Sequence, residues 1–362
     1  MVKKTLAVLL CVTVLLIPFY PACAAKTEGE FEGIVWSFRK GVLSFSGNGI
    51  PRSYNTPWEQ YNRKVSELII GEGIVCLDYS DVFSQMTRLQ KIVFEHDRFD
   101  DWFPEAESIR EIVYKGTNPV FNGRSFVSSR LDRIVFENST DRYIQEGRFL
   151  FNKDKTELVY YLGSATEEVN VPEGVRIIGE GAFANSNTSS VILPSSLEEI
   201  RDCAFEGSAV QSVVIPASCR TIGPEAFCMC RFLADVRFLG DETELIDHYV
   251  YQQQTIKNAA LTFAMCTSLR EISIPKCTNI PACCFLGDTA LEKIVIGDGT
   301  GSIDSFQVFS GCNKLESIYI PDGTEFESTL FDGGNPPVII CRAGSDTEEK
   351  AAGFGWGISN SD

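Results

Sequence analysis

Histidine is scarce in this 362-residue chain: there are two, His96 and His248. A histidine-rich metal centre is therefore excluded, and a histidine general base has only two places to stand. His96, between Glu95 and Asp97, reads as a solvated loop residue. The chain also lacks G-x-S-x-G, H-E-x-x-H, a P-loop and a dinucleotide glycine pattern, so the common nucleophilic, zinc-protease and nucleotide-binding chemistries have no starting point. Bases are short as well: 32 Lys and Arg face 49 Asp and Glu, for a formal charge of −17. A nucleic-acid partner is not expected, because that binding depends on neutralising phosphates with basic side chains.

Long apolar runs are missing too. The one continuous run, Leu6 to Ile17, is too short to span a bilayer. With Lys3 and Lys4 before it and Ala22, Ala24 and Ala25 after it, the run reads as an export signal over residues 1–25. Its removal takes away two bases and no acid, leaving a still more acidic chain. The expected location is extracellular or on the cell surface. Membrane contact is expected only through a lipid anchor at Cys23, and Tyr20 and Pro21 make a poor lipid-attachment signal, so plain cleavage after Ala24 or Ala25 is favoured.

What the sequence has is a beat. Short segments such as Leu89-Gln90-Lys91-Ile92-Val93-Phe94 and Leu131-Asp132-Arg133-Ile134-Val135-Phe136 read as strands, closing at Ile70, Phe94, Tyr114, Phe136, Val171, Leu193, Ile215, Phe238, Ile274, Ile296, Ile320 and Ile340. Most are about 22 residues apart. The steps from Phe136 to Val171 and from Phe238 to Ile274 are longer, one repeat plus an insertion. A second series keeps the same phase with a Phe before each strand: Phe83, Phe103, Phe126, Phe183, Phe205, Phe227, Phe263, Phe285 and Phe309. Two markers in register are the mark of a solenoid, in which one turn cannot bury its apolar face alone and stacking supplies the core.

The repeat text Ile178-Gly179-Glu180-Gly181-Ala182-Phe183 through Val191-Ile192-Leu193-Pro194, the stretch Phe149 to Tyr161, and the ends (Trp36-Ser37-Phe38 to Pro57-Trp58, and Ala343-Gly344-Ser345 to Trp356) resemble the BspA-like leucine-rich-repeat family of bacterial surfaces and some protists. The resemblance implies a leucine-rich-repeat solenoid of α/β class, rich in β structure: a curved right-handed stack with about 12 short parallel strands on one face, a small N-terminal β segment and a C-terminal cap. The expected organisation is a signal peptide at 1–25, an N-terminal capping segment at 26–64, a first repeat block at 65–136, an inserted hairpin segment at 137–168, a second block at 169–337 with an insertion at 239–262, and a cap and tail at 338–362. The irregular text around Trp102, Phe103 and Pro104 makes the boundaries between about 95 and 147 the least defined.

In such strands the two inner apolar residues face the core and the one between them faces outward. That position runs Ile69, Val93, Val113, Val135, Asn170, Ile192, Val214, Arg237, Ser273, Val295, Tyr319 and Ile339. An apolar stripe rimmed by charge is a candidate interaction surface, with Val93, Val113, Val135, Ile192, Val214, Arg237, Val295 and Tyr319 as its ligand-binding residues. Against this stands the plain preference of β-branched residues for strands. Arg237 and Tyr319 are the types most often important in interfaces. The insertion at 239–262, with Tyr249 and Tyr251, is a second place for binding or a neutral decoration.

Thirteen cysteines would suggest disulfides in an exported chain. Yet Cys230, Cys266 and Cys312 each stand three residues after a repeat Phe, where other turns have Met86, Ser186, Ser208 and Asp288. A recurring position is structural, so buried free thiols are expected. Cys228-x-Cys230 and the adjacent Cys283 and Cys284 do not make a paired C-x-x-C site, so neither a metal nor another cofactor is expected. Acid pairs such as Glu198-Glu199 and Glu348-Glu349 are read as solvated surface, because acids are common here. No catalytic residue is assigned. The expected role is binding other proteins through the sheet face in adhesion, with an extracellular-matrix or cell-surface protein as partner; the alternative is an envelope scaffold or spacer without a specific ligand.

Overall fold

The computed structural model describes residues 26–361 apart from 53–54, 75–84, 98–107, 122, 124–130, 139–140, 164–167, 252–253, 258–259 and 332–335. The export signal with Cys23, the phenylalanines at 83, 103 and 126, Trp102, Pro104 and Cys76 lie outside the described residues.

The chain opens with three antiparallel strands, β1 (Glu28–Phe31), β2 (Ile34–Arg39) and β3 (Val42–Gly47). Their inner face carries Trp36 and Phe45, which meet Trp58 at 6.1 and 4.9 Å between ring centroids. This aromatic plug caps the first turn, and the Trp58 indole N–H is satisfied by the Arg52 carbonyl at 2.8 Å. β3 then pairs parallel with β4 (Glu67–Ile70), followed in strict register by β5 (Lys91–Phe94), β6 (Glu111–Tyr114) and β7 (Arg133–Phe136). The register aligns Ile70, Phe94, Tyr114 and Phe136, so the expected closing residues stack; the last three rings lie 5.2 and 5.6 Å apart.

Next comes a meander of β8 (Tyr143–Glu146), β9 (Phe149–Asn152) and β10 (Glu157–Tyr161). Both of its faces are covered. Leu150, Val159, Tyr160 and Leu162 join the core of the first block, whereas Phe151, Leu158 and Tyr161 join that of the second. Alternate residues of a strand point to opposite sides, so a segment apolar at nearly every position suits a wall between two cores. A register shift between Leu158 and Tyr160 places Val159 and Tyr160 on the same side.

Beyond the wall each turn supplies a principal strand and then a two-residue strand. These are β11 (Val169–Asn170) and β12 (Ile177–Ile178), β13 (Val191–Ile192) and β14 (Glu199–Ile200), β15 (Ser212–Ile215) and β16 (Thr221–Ile222), β17 (Asp235–Phe238) and β18 (Glu244–Leu245). A hairpin, β19 (His248–Tyr251) and β20 (Gln254–Lys257), interrupts the beat. The pattern resumes with β21 (Glu271–Ile274) and β22 (Asn279–Ile280), β23 (Lys293–Ile296) and β24 (Ser302–Ile303), then β25 (Ser317–Tyr319) and β26 (Val338–Arg342). Helix α1 (Asp346–Gly353) and β27 (Ile358–Ser361) close the end. Ser345 caps α1 by accepting from the Glu348 N–H, while the Glu348 carboxylate accepts from the Gly344 N–H at 2.6 Å, so one of the acids read as plain surface is a capping group. Trp356 completes the closure, its ring 4.9 Å from Phe331 and 5.8 Å from Phe326.

The connection phenylalanines form one column. Tyr161, Phe183, Phe205, Phe227, Phe263, Phe285, Phe309 and Phe331 follow each other at 5.0 to 5.9 Å, and the rings from Phe183 to Phe285 are within 9° of parallel. Holding each ring there needs a tight connection. The residues two before and two after the ring adopt positive φ, as at Cys203 (54°), Glu225 (57°), Met229 (59°), Leu261 (52°) and Met265 (60°). For residues other than glycine that conformation costs about 1–2 kcal/mol each, a cost offset by burying a phenylalanine per turn.

Two expectations change. The two-residue strands β12, β14, β16 and β18, continuing from the five-residue β10, and the pair β22–β24 form further parallel ladders, so these turns give the stack a second strand besides the one on the expected face. The last strand is also displaced by one residue. Tyr319 lies beside Ile340, and Ile339 and Cys341 face the core, because two inward residues must straddle one outward residue. The closing residue is accordingly Cys341 in place of Ile340, and the outward one Ile340 in place of Ile339.

Candidate interaction face

The eight residues singled out from sequence fall on two repeat blocks, three on the sheet of the first and five on the three sheet pieces of the second. Val93, Val113 and Val135 occupy the outer side of β5, β6 and β7. The same side carries Glu67, Lys91, Glu111 and Arg133, two residues earlier in each strand, and these pair along the sheet at 3.8, 4.0 and 4.0 Å. Val93 and Val113 are only 3% and 4% exposed, so the expectation that they stand open on the surface does not hold. Alternation places the long charged stems beside them, and such stems lie over neighbouring apolar groups while their heads stay wet. Val135, at the end of this sheet, is half-buried.

Ile192, Val214, Arg237, Val295 and Tyr319 lie outward on β13, β15, β17, β23 and β25. Ile192 is 48% exposed, Arg237 is exposed, and the other three are half-buried. The Tyr319 hydroxyl donates to Asp298 Oδ1 at 2.9 Å; partial burial, together with this bond, raises the phenol above its ordinary range.

The backbone under this face is not continuous. Hydrogen-bonded ladders join β11 to β13, β15 to β17, and β21 through β23 and β25 to β26 and β27, but no ladder joins β17 to β21 although they are neighbours. The longer turn between them is the reason: it contains the β19–β20 hairpin, whereas Glu244 and Leu245 in its early part still continue the second ladder. The stack recovers on either side of the seam. Thr243 N–H donates to the Lys276 carbonyl (3.1 Å), Lys276 N–H to Asp241 (3.0 Å), and Phe227 N–H to Thr262 (2.9 Å).

An open depression of about 300 Å³ sits on the seam, lined by Asp235, Arg237, Glu271, Ser273, Lys293 and Val295 among others. Among the described residues Arg237, Glu271 and Lys293 make no ion pair, in contrast to the paired charges of the first sheet. The depression therefore offers uncommitted charges of both signs beside Val295. Arg237 and Val295 were legible from sequence. Ser273 had been placed on the outward stripe; what sequence did not reveal was the seam that brings these residues together with Asp235, Glu271 and Lys293 round a hollow.

The remaining thiol, carboxyl and imidazole groups are poorly placed for nucleophilic or acid–base chemistry. Cys203, Cys219, Cys228, Cys230, Cys266, Cys277, Cys283, Cys284, Cys312 and Cys341 are buried and form no disulfide among the described residues. Cys230, Cys266 and Cys312 donate to the carbonyl of the Phe one turn earlier, Phe205, Phe227 and Phe285, at 2.9, 3.2 and 3.1 Å. Burial pushes the Cys230, Cys219 and Cys277 thiols up to about 12, so they carry no nucleophilic thiolate at neutral pH. Asp288 fills the same column position. Its Oδ1 accepts from the Cys266 N–H at 2.7 Å, its Oδ2 has no partner among the described residues, and burial raises it well above the ordinary carboxylate range. His96 is half-buried with its ring edge-on to Phe94 at 5.9 Å, and so is not the solvated loop residue expected. Glu198 is held by Arg176 through bonds of 2.9 and 2.6 Å.

A stack of short parallel strands, with one buried ring per connection, defines a leucine-rich-repeat solenoid. Its repeats place the chain more narrowly: it belongs to the BspA-type leucine-rich-repeat family, whose repeat-region description, "BspA type Leucine rich repeat region", matches residues 156–262 and 251–335 in six copies. Similar solved structures include a leucine-rich repeat protein from Eubacterium ventriosum, 18% identical over 92% of this chain and 94% of that one, with a TM-score of 0.46. The pneumococcal vaccine antigen PcpA is 13% identical over 92% of this chain and 98% of that one, TM-score 0.48. A leucine rich cell surface protein from Faecalibacterium prausnitzii is 16% identical over 90% and 97%, TM-score 0.31. No curated protein matches the chain. Among the described residues no helix is long and apolar enough to cross a membrane.

Proposed function

We propose that the protein is an extracellular or surface-displayed binding module without catalytic activity, and that it engages another protein through the outer face of its second repeat block. The observation that carries this reading is the seam depression, where Arg237, Glu271 and Lys293 make no ion pair among the described residues and Val295 has Tyr319 beside it on the next strand of the same sheet. Leucine-rich repeats generally bind proteins, and extended repeat stacks supply broad surfaces for that purpose. Arg and Tyr contribute disproportionately to such contacts, and a charge not already paired within the monomer needs no internal bond broken before it meets a partner. Adhesion to a cell-surface or extracellular-matrix protein is the role this arrangement suits.

The test is binding of the purified protein to a panel of immobilised extracellular-matrix and bacterial surface proteins, followed by interferometry. Arg237→Ala and Tyr319→Ala are expected to weaken a specific interaction tenfold or more, and Lys91→Ala on the first sheet to leave it unchanged. Equal affinity for all three variants would move the site elsewhere. Binding to nothing would leave an envelope spacer as the better description.

A further inference from the structure

The connection side of the second block brings together a set of donor groups that the sheet face does not use. In two consecutive turns the sequence reads Cys203-Ala204-Phe205-Glu206 and Glu225-Ala226-Phe227-Cys228, a Cys and a Glu flanking each ring in opposite order. Stacking aligns the turns, because Cys203 N–H donates to the Pro224 carbonyl at 2.9 Å, Phe205 N–H to Ala226 at 2.7 Å and Gly207 N–H to Cys228 at 2.8 Å. Reversal of the order then sets Cys203 beside Glu225, and Glu206 beside Cys228. Ligand atoms of Cys203, Glu206 and Glu225 all lie within 4.8 Å of one another, and the Cys203 thiol donates to Glu225 Oε2 at 3.4 Å. Cys203 is 2% exposed and Cys228 6%, while both carboxylates are half-buried.

We propose that Cys203, Glu206 and Glu225 bind one divalent cation of the zinc class, with water in the fourth position. Zinc bonds to thiolate sulfur at about 2.3 Å and to carboxylate oxygen at about 2.0 Å, so a tetrahedral site holds those two atoms about 3.5 Å apart, close to the separation found. The mixed thiolate and carboxylate set suits a borderline-soft ion and disfavours calcium and magnesium, which take oxygen ligands throughout. On binding, the Cys203 thiol proton leaves to solvent, and the ion's two positive charges offset the resulting thiolate and one of the two carboxylates held close together. Such an ion ties the turn of Phe205 to that of Phe227, and the second of these leads directly into β17 at the edge of the seam.

Zinc titration of the metal-free full-length protein, followed by calorimetry, reads the stoichiometry; cobalt in its place reads the ligands through thiolate-to-metal charge-transfer absorption. One ion per chain is expected, with binding weakened tenfold or more in Glu206→Gln and in Glu225→Gln, and with the charge-transfer band lost in Cys203→Ser. The two isosteric glutamine variants keep the test decisive if the serine variant perturbs the turn, and circular dichroism checks each fold. Unchanged zinc affinity in both glutamine variants, an undiminished cobalt band in Cys203→Ser, or no stoichiometric binding at micromolar zinc would overturn the site.

Discussion

The two repeat blocks solve the same stacking problem with opposite economies. In the first, β4 to β7 form an unbroken parallel ladder, the stacked rings of Phe94, Tyr114 and Phe136 belong to the strands, and the outer charges pair with each other. In the second, the stacked rings belong to the connections, a second ladder of two-residue strands carries part of the hydrogen bonding, and the principal sheet is in three pieces. Once connections hold the turns together, the sheet can open without the stack coming apart. The lesson is that the block with the more regular sequence has the more interrupted face, and the interruption is where uncommitted charges gather.

The largest effect should come from breaking the ring column. Phe205 has neighbours at 5.0 Å on both sides and is fully buried, so Phe205→Ala should cost about 3–5 kcal/mol in chemical denaturation. Because the β8–β10 wall separates the cores, that loss should lower the unfolding midpoint of the second block and leave the first, reported by Trp36 and Trp58, nearly in place. A single shared transition would show that the wall couples the blocks.

Asp288 sharpens the contrast through pH. Its folded pKa is raised by burial, so its contribution to stability is fully present below the unfolded value of about 3.9 and is lost as pH rises toward the folded one. Across that interval each pH unit should remove about 1.4 kcal/mol, and Asp288→Asn should flatten the slope from pH 4 upward. An unchanged slope in the variant would mean that Asp288 is ionised in the folded protein. The smallest effect belongs to the paired charges of the first sheet. Lys91→Ala should change stability by roughly 0.5 kcal/mol or less and become silent at high salt, since its pairs at 3.8 and 4.0 Å are partly exposed.

Much of this contrast was readable from sequence, and the reasons for the rest are physical. The beat of apolar triplets placed the strands from Ile70 to Ile320, and Phe183 to Phe309 placed the column, because both markers repeat in phase. The two-residue strands were missed although Ile178, Ile200 and Ile222 keep the same period; one apolar residue after a polar one is too short a pattern to read as a strand. The slip at Ile339 arose where Val338, Ile339 and Ile340 form an apolar run that fits either register until Cys341 is seen to be buried. Arg237 and Tyr319 could be placed on the outer face by alternation alone. The seam could not, because it follows from how a longer turn re-enters the stack, and Val93 and Val113 were taken as open because alternation assigns a side without saying what covers it.

Amide hydrogen exchange on the unliganded protein tests the difference between the faces most directly. Amides of β21, which lack a ladder partner on β17, should exchange at least tenfold faster than those of β5 and β6, whose ladders are complete on both sides. Equal protection of β21 and β6 would mean that the sheet is closed at Arg237, and the proposed interaction face would lose its foundation.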